Sequence, residues 1–362
     1  MTFNSCSNNE QTINVETIIF DEKIKNDIKD EIICKFIPLQ TTDECLFEDI
    51  RAIDIVEDNI YIIDRKGDHL FVFDLSGKFI TQIGKRGDGP GEYLLLTNFH
   101  VDKEKQIITL ADPHQDKLFN YNLNDYKYIN DQKTFYFSDC CWLPDGNIAW
   151  AFHKGYNSGK RDKHYVKITD SKLNDIKLLY PMNFSPEYLM VPGSFFYTLN
   201  KKCFLNIPFI PTIYEVTSEK LIPTYQLELG KHKFASLEWL KANAEKNFYR
   251  TISNTDYISG QYVIETDDYI CVEYYTKGMN PHIGFYNKKN GESFKYKVSD
   301  FIEVTGLNGL FQVKGTHENN FIFTILPSEL KQKNTTIPEL KSIIGDIKED
   351  DNPILCLLKF KQ

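Results

Sequence analysis

The sequence predicts an all-β protein, a six-bladed β-propeller with four-stranded blades, and three observations carry that prediction. The first is composition: aromatics make up 14% of the 362 residues, with 26 Phe and 21 Tyr against 4 Met, and aromatic and β-branched residues favour strands. The second is run length. Apolar runs of four to six residues recur between Gly, Asp and Asn turns, too short for helices. The third is a repeat whose copies begin near residues 59, 106, 147, 202, 268 and 319, spacings close to the roughly 40–50 residues of a four-stranded blade.

The clearest copy reads Asp58 to Asp64, then His69 to Asp74, then Gly77 to Gly84. Later copies pair residues 106–112 with 117–122, 145–152 with 164–170, 202–206 with 212–216, 268–273 with 282–287, and 319–325 with 354–360. The segment at about 32–38 (IICKFIP) has no blade of its own. It is expected to pair with the C-terminal strand and close the ring, which removes open sheet edges. Two stretches break the pattern. Residues 234–252 carry Phe234, Leu237, Leu240, Ala244 and Phe248 at helical spacing, with Ser236 placed to cap. Residues 337–349 read as a second short helix with Pro338 at its start. The expected organisation is a flexible tail over 1–29 and the propeller over 30–362.

Charge and cysteine content narrow the function. Lys and Arg total 42 against 51 Asp and Glu, a net charge of −9, which argues against nucleic acid and anionic membrane surfaces as partners. No run approaches the roughly 18 apolar residues of a membrane-spanning helix. Eight cysteines are scattered without zinc spacing. Most lie in apolar runs and read as buried free thiols, although a Cys34–Cys356 bridge becomes geometrically accessible if the terminal strands pair. Around Cys6 the first ten residues are small and polar. This resembles the end of a bacterial lipoprotein signal, but the apolar stretch that such a signal needs is missing; the alternative is an ordinary cysteine in a tail.

Residues 83–93 (IGKRGDGPGEY) follow the third run of the first copy. They resemble the blade-linking motif of NHL-like six-bladed propeller proteins, in particular a family of propeller lipoproteins from anaerobic gut bacteria. The flanking segments 37–42, 73–79 and 351–355 fit the same pattern, and the resemblance spans about 30–360. It implies the propeller fold, a cell-envelope location (periplasm or outer membrane) and a lipidated Cys6; without lipidation at Cys6 the cytoplasm is the expected compartment. It implies little chemistry. Read physically, the glycines of the motif supply positive φ and close backbone approach in a tight crossover between blades, and Arg86 and Glu92 are placed to pair and brace it. No helix follows, so the motif is not a phosphate loop.

Loops after each blade's second strand share one face with the blade-linking loops, where propeller ligands usually sit. The candidate ligand-binding residues on that face are Arg65, Arg86, Asp112, His114, His153, Lys154, Arg161 and Tyr275, with Asp64 and Glu273 beside them. His114 between Asp112 and Asp116 has the chemistry of a metal ligand or acid–base group, or of a solvated turn. No nucleophile elbow, HExxH or EF-hand pattern occurs. The expected function is therefore non-catalytic: an envelope protein, monomeric and without a cofactor, that binds a small molecule, glycan or protein partner on one face. The alternatives are a lyase or hydrolase using a channel metal or His, and a scaffold for protein assembly.

Overall fold

The computed structural model describes residues 15–156, 163–182, 184, 194–244, 247–332 and 335–361, with backbone alone for 153–156. Six sheets form the blades, each with four antiparallel strands, and one of them carries a fifth, parallel strand at its outer edge. Blade 1 comprises Ile50–Val56, Asn59–Asp64, Leu70–Asp74 and Phe79–Ile83. Blade 2 comprises Asn98–Asp102, Ile107–Asp112, Lys117–Asn122 and Tyr128–Lys133. Blade 3 has Asp139–Trp142, Ile148–Tyr156, His164–Thr169 and Asp175–Pro181. Blade 4 has Phe196–Leu199, Lys202–Asn206, Thr212–Val216 and Leu221–Glu228. Blade 5 has Gln261–Glu265, Tyr269–Thr276, Asn280–Asn287 and Ser293–Lys297. Blade 6 takes three strands from Leu310–His317, Asn320–Ile325 and Ile354–Phe360 and its outermost from Ile32–Pro38.

Each innermost strand approaches the next around the whole ring, so these strands surround the central channel. The second and third strands of a blade are buried on both faces. In blade 1, Ile60, Ile62, Phe71 and Phe73 pack with Ile37, Ile322 and Leu355 of blade 6. The alternate residues Tyr61, Ile63, Leu70 and Val72 pack with Phe99, Leu110 and Phe119 of blade 2. Successive side chains on a strand point to opposite faces, so burial between two neighbouring blades makes the run continuously apolar. That is the pattern the sequence displays.

The ring closes as expected: Ile32–Pro38 pairs antiparallel with Ile354–Phe360, with Phe36 opposite Cys356. Cys34 and Cys356 remain free thiols, as do the other five described cysteines; Cys6 lies outside the described residues. A polar clasp reinforces the seam. The Asn352 amide donates to the carbonyls of Gln40 (2.8 Å) and Cys45 (2.7 Å) and accepts from the Phe47 N–H (2.8 Å), while its own N–H donates to Thr41 Oγ1 (2.9 Å).

Two expectations are corrected. Residues 16–29 are not wholly a loose tail. Glu16–Ile19 adds to the outer edge of blade 4, parallel to Leu221–Glu228. Ile18 and Phe20 are buried there, and Phe20 lies over Gly284 of blade 5 so closely that a Cβ on that glycine would stand 2.9 Å from its ring. A one-turn helix, Ile28–Glu31, then leads into the closing strand. The second correction concerns 234–252, which forms two helices, Leu237–Ala242 and Phe248–Ser253. Ser236 does cap the first, accepting from the Trp239 N–H at 3.2 Å. Within 337–349 the helix is Pro338–Ile344.

The glycine-rich linker is the predicted crossover from blade 1 to blade 2. The expected Arg86–Glu92 pair does not form: Lys85 pairs with Glu92 (2.9 Å) and Arg86 with Asp68 (3.0 Å), because adjacent residues on an extended segment point to opposite sides. Gly91 has φ +72, and a Cβ there would meet the Tyr128 ring at 2.6 Å. Gly89 needs no positive φ, and its Cβ would meet only the flexible Glu92 carboxylate at 3.0 Å. We expect Gly91→Ala to destabilise the protein by about 2 kcal/mol or more, from left-handed strain of roughly 1–2 kcal/mol plus overpacking. Gly89→Ala should cost well under half of that. Urea-unfolding midpoints of the two variants test the ordering, and equal losses would refute it.

Candidate functional site

The blade-linking segments and the loops after each second strand lie on one face, and most of the buried polar groups there hold blades together. Asp112 is fully buried. Its carboxylate accepts from the N–H groups of Leu94 (2.7 Å), Leu95 (3.3 Å), His114 (2.8 Å) and Gln115 (3.1 Å), so its oxygens are committed to holding the linker. His114 is exposed on the turn beyond it. Asp139 begins the inner strand of blade 3 and accepts from Asn98 of blade 2 (3.1 Å) and from Ser194 and the Phe195 N–H (2.9 Å) ahead of blade 4. Burial raises its pKa, against the pull of those donors. Gln261 of blade 5 donates to the Ile207 and Ile210 carbonyls (both 3.0 Å) and accepts from the Phe209 N–H (2.9 Å). Each of these groups is buried and satisfied from within the protein, as buried polar groups must be.

A different set converges where blades 1, 5 and 6 meet at the channel mouth. Asp49, just before the inner strand of blade 1, accepts at Oδ2 from Lys314 Nζ of blade 6 (3.0 Å) and from Arg65 Nη1 (3.2 Å). Its Oδ1 is buried and has no donor. Lys314 and Asp49 are each 7% exposed, whereas Arg65 is 64% exposed. Arg51 lays its guanidinium against the Arg65 carbonyl through Nε (3.2 Å) and Nη2 (2.9 Å). Gln312 Nε2 donates to the Tyr275 hydroxyl at 2.9 Å, and Glu273 Oε1 accepts from the Val313 N–H at 2.9 Å. The irregular register of Leu310–His317 makes this possible, because bulges re-aim side chains. Further along the channel, desolvation by the surrounding protein raises the pKa of Asp54, opposed first by the Ile55 N–H and then by the charge of His317.

Electrostatics follow from this layering. Burial pushes Glu273 up to about 7, opposed by the Val313 N–H and the Lys314 charge. Burial lowers Lys314, and the nearby Asp49 carboxylate opposes that. An acid whose folded pKa lies above its unfolded value near 4.5 binds protons more tightly when folded, so its contribution to stability falls as pH rises from about 4.5 to 7. His282 works in the opposite sense. It stacks on Tyr274 (4.9 Å between rings) beside His232 (4.8 Å), and burial drops it to about 4, so its contribution rises between about 4 and 6.5. The test is therefore differential. The stability of the parent minus that of Glu273→Gln should decline across pH 5 to 7, and a flat difference in urea titrations would contradict the burial of an ionising group there.

Of the residues singled out from sequence, the structure brings together Arg65 and Tyr275, with Glu273 beneath them. Arg86 stands on the blade 1–2 linker, paired with Asp68. His153 and Lys154 lie in the strand Ile148–Tyr156, where side chains are not described, and Arg161 lies outside the described residues. Sequence reasoning missed Asp49, Arg51, Gln312 and Lys314. Gln312 and Lys314 alternate with Val313 in the sequence, but the bulged register of their strand hides which face that alternation serves. Among the described residues, no group of three or more His, Cys, Asp or Glu could hold a metal ion.

Fold and site together define a closed six-bladed propeller with a polar, charged channel mouth built from three blades. Residues 6–324 match the model of the family described as 6-bladed beta-propeller (DUF5128), and the chain belongs to that family. Among solved structures, a Bacteroides fragilis protein described as exported is similar over 96% of this chain and 100% of its own, with 28% identity and a TM-score of 0.90. A Bacteroides vulgatus member of the DUF4221 family shares the fold alone, at 13% identity and TM-score 0.58 over 92% of this chain and 99% of its own. No curated protein matches the chain. Among the described residues, no helix is long and apolar enough to cross a membrane.

Proposed function

We propose that this protein is an exported, non-catalytic propeller of the bacterial cell envelope that binds a ligand at the channel mouth. The observation that carries the proposal is the convergence of Asp49, Arg51 and Arg65 from blade 1, Tyr275 from blade 5, and Gln312 and Lys314 from blade 6 on one opening. Rigid rings with side chains aimed into a shared mouth suit ligand capture. The export assignment draws on the similarity to the B. fragilis protein, and tethering through a lipid on Cys6 is part of the same reading. A thermal-shift screen of small molecules and glycans tests the binding claim, since a ligand that binds only the folded state raises its stability. Hits should lose their effect in Arg65→Gln; a screen in which Arg65→Gln keeps every shift refutes the site. Cell fractionation of the parent and Cys6→Ser tests the location and the anchor.

A further inference from the structure

Resting on that channel-mouth reading, we propose that the ligand is a small oxyanion, a carboxylate-bearing molecule above all, taken up by the guanidinium groups of Arg51 and Arg65 with the Tyr275 hydroxyl. The mouth is layered by charge. The acids Asp49, Asp64 and Glu273 are buried and lie behind the cations. Asp49 orients Arg65 and Lys314 through one oxygen. The Asp64 carboxylate already accepts the His69 N–H at 2.8 Å and attracts Arg51. Glu273 accepts from the backbone. What faces outward are donors. Arg65 uses only Nη1 toward Asp49, and Arg51 uses only Nε and Nη2, among the described contacts. The Tyr275 oxygen accepts from Gln312, which leaves its own proton to donate.

Like charge is also concentrated there. Burial lowers the pKa of both Arg51 and Lys314, and the charge of Arg65 adds to that lowering in each. In a chain of net charge −9, a surface that sets exposed guanidinium groups in front of buried, orienting carboxylates is complementary to an anion. The guanidinium fork matches the two oxygens of a carboxylate.

Calorimetric titration of the full chain with citrate, sulfate and the neutral trisaccharide maltotriose tests this. Citrate is expected to bind, more weakly as NaCl rises. Arg65→Gln and Arg51→Gln should each weaken it at least tenfold, and Tyr275→Phe severalfold, with far-UV circular dichroism and unfolding midpoints close to the parent's. Lys105→Gln, which removes an exposed cation of a blade 2 turn paired with Asp102, should leave affinity unchanged. Three results would overturn the proposal. If Lys105→Gln weakens citrate as much as Arg65→Gln, the binding is nonspecific. If maltotriose alone binds and Tyr275→Phe weakens it, the anion inference fails while the channel-mouth site stands. If no probe responds to any of these substitutions in folded protein, both fail.

Discussion

Asn352→Ala is expected to lower the unfolding free energy by roughly 3–5 kcal/mol. The substitution removes three side-chain hydrogen bonds and leaves the Phe47 N–H and the Cys45 carbonyl facing a methyl group, while the Gln40 carbonyl keeps the Cys45 thiol as a donor. Asn352 is 2% exposed, so water does not readily replace the lost partners. A buried group stripped of its partner costs about 1–3 kcal/mol, and the Phe47 and Cys45 bonds are fully buried. The site also matters topologically, because the loop it clasps joins the closing strand to blade 1. Asn352→Asp should fare no better, since it keeps the Phe47 acceptor but sets a carboxylate oxygen against two carbonyls. Urea midpoints at unchanged slope would measure the loss. A change below 1 kcal/mol would mean that the seam is held by its β pairing alone.

A loss of similar size is expected at the channel mouth. Asp49→Ala leaves the Lys314 ammonium, 7% exposed, without its carboxylate. Breaking a buried pair from one side typically costs about 3–5 kcal/mol. The double variant Asp49→Ala/Lys314→Met should recover most of that, because the stranded charge is then gone. If the double variant is no more stable than Asp49→Ala, the penalty comes from the Arg65 contact or from the loop backbone, not from a buried ion pair.

Those two sites differ in how visible they were in the sequence. The blade framework was legible because the second and third strands bury both faces. Ile60 to Ile63 and Leu70 to Phe73 are continuous apolar runs, each bounded by a turn. The outermost strands carry less signal. Tyr128–Lys133 is largely exposed, and little in its composition distinguishes it from a loop. Glu16–Ile19 has one buried residue, so nothing local separates it from a tail. It is a strand because blade 4 offers an edge. At the mouth, Arg65 and Tyr275 were legible through loop position. Lys314 and Gln312 were not, because they belong to an innermost strand whose bulged register cannot be read from periodicity. Asp49 gains its role only when ring closure sets it beside blade 6.

The N-terminal strap has a consequence for how the molecule is made. Residue 16 pairs with residue 225, and residue 32 with residue 360, so these two strands wait for partners that emerge much later. Contacts of such sequence separation slow folding, because a long loop must close before they are rewarded. Blades 1 to 3 draw all their strands from consecutive sequence and are able to form in order behind the emerging chain. Until residue 360 is available, the apolar flank of blade 1 that packs against Ile322 and Leu355 stays open. During that interval the nascent chain exposes apolar surface of the kind that promotes aggregation, and the docking of Ile354–Phe360 covers it.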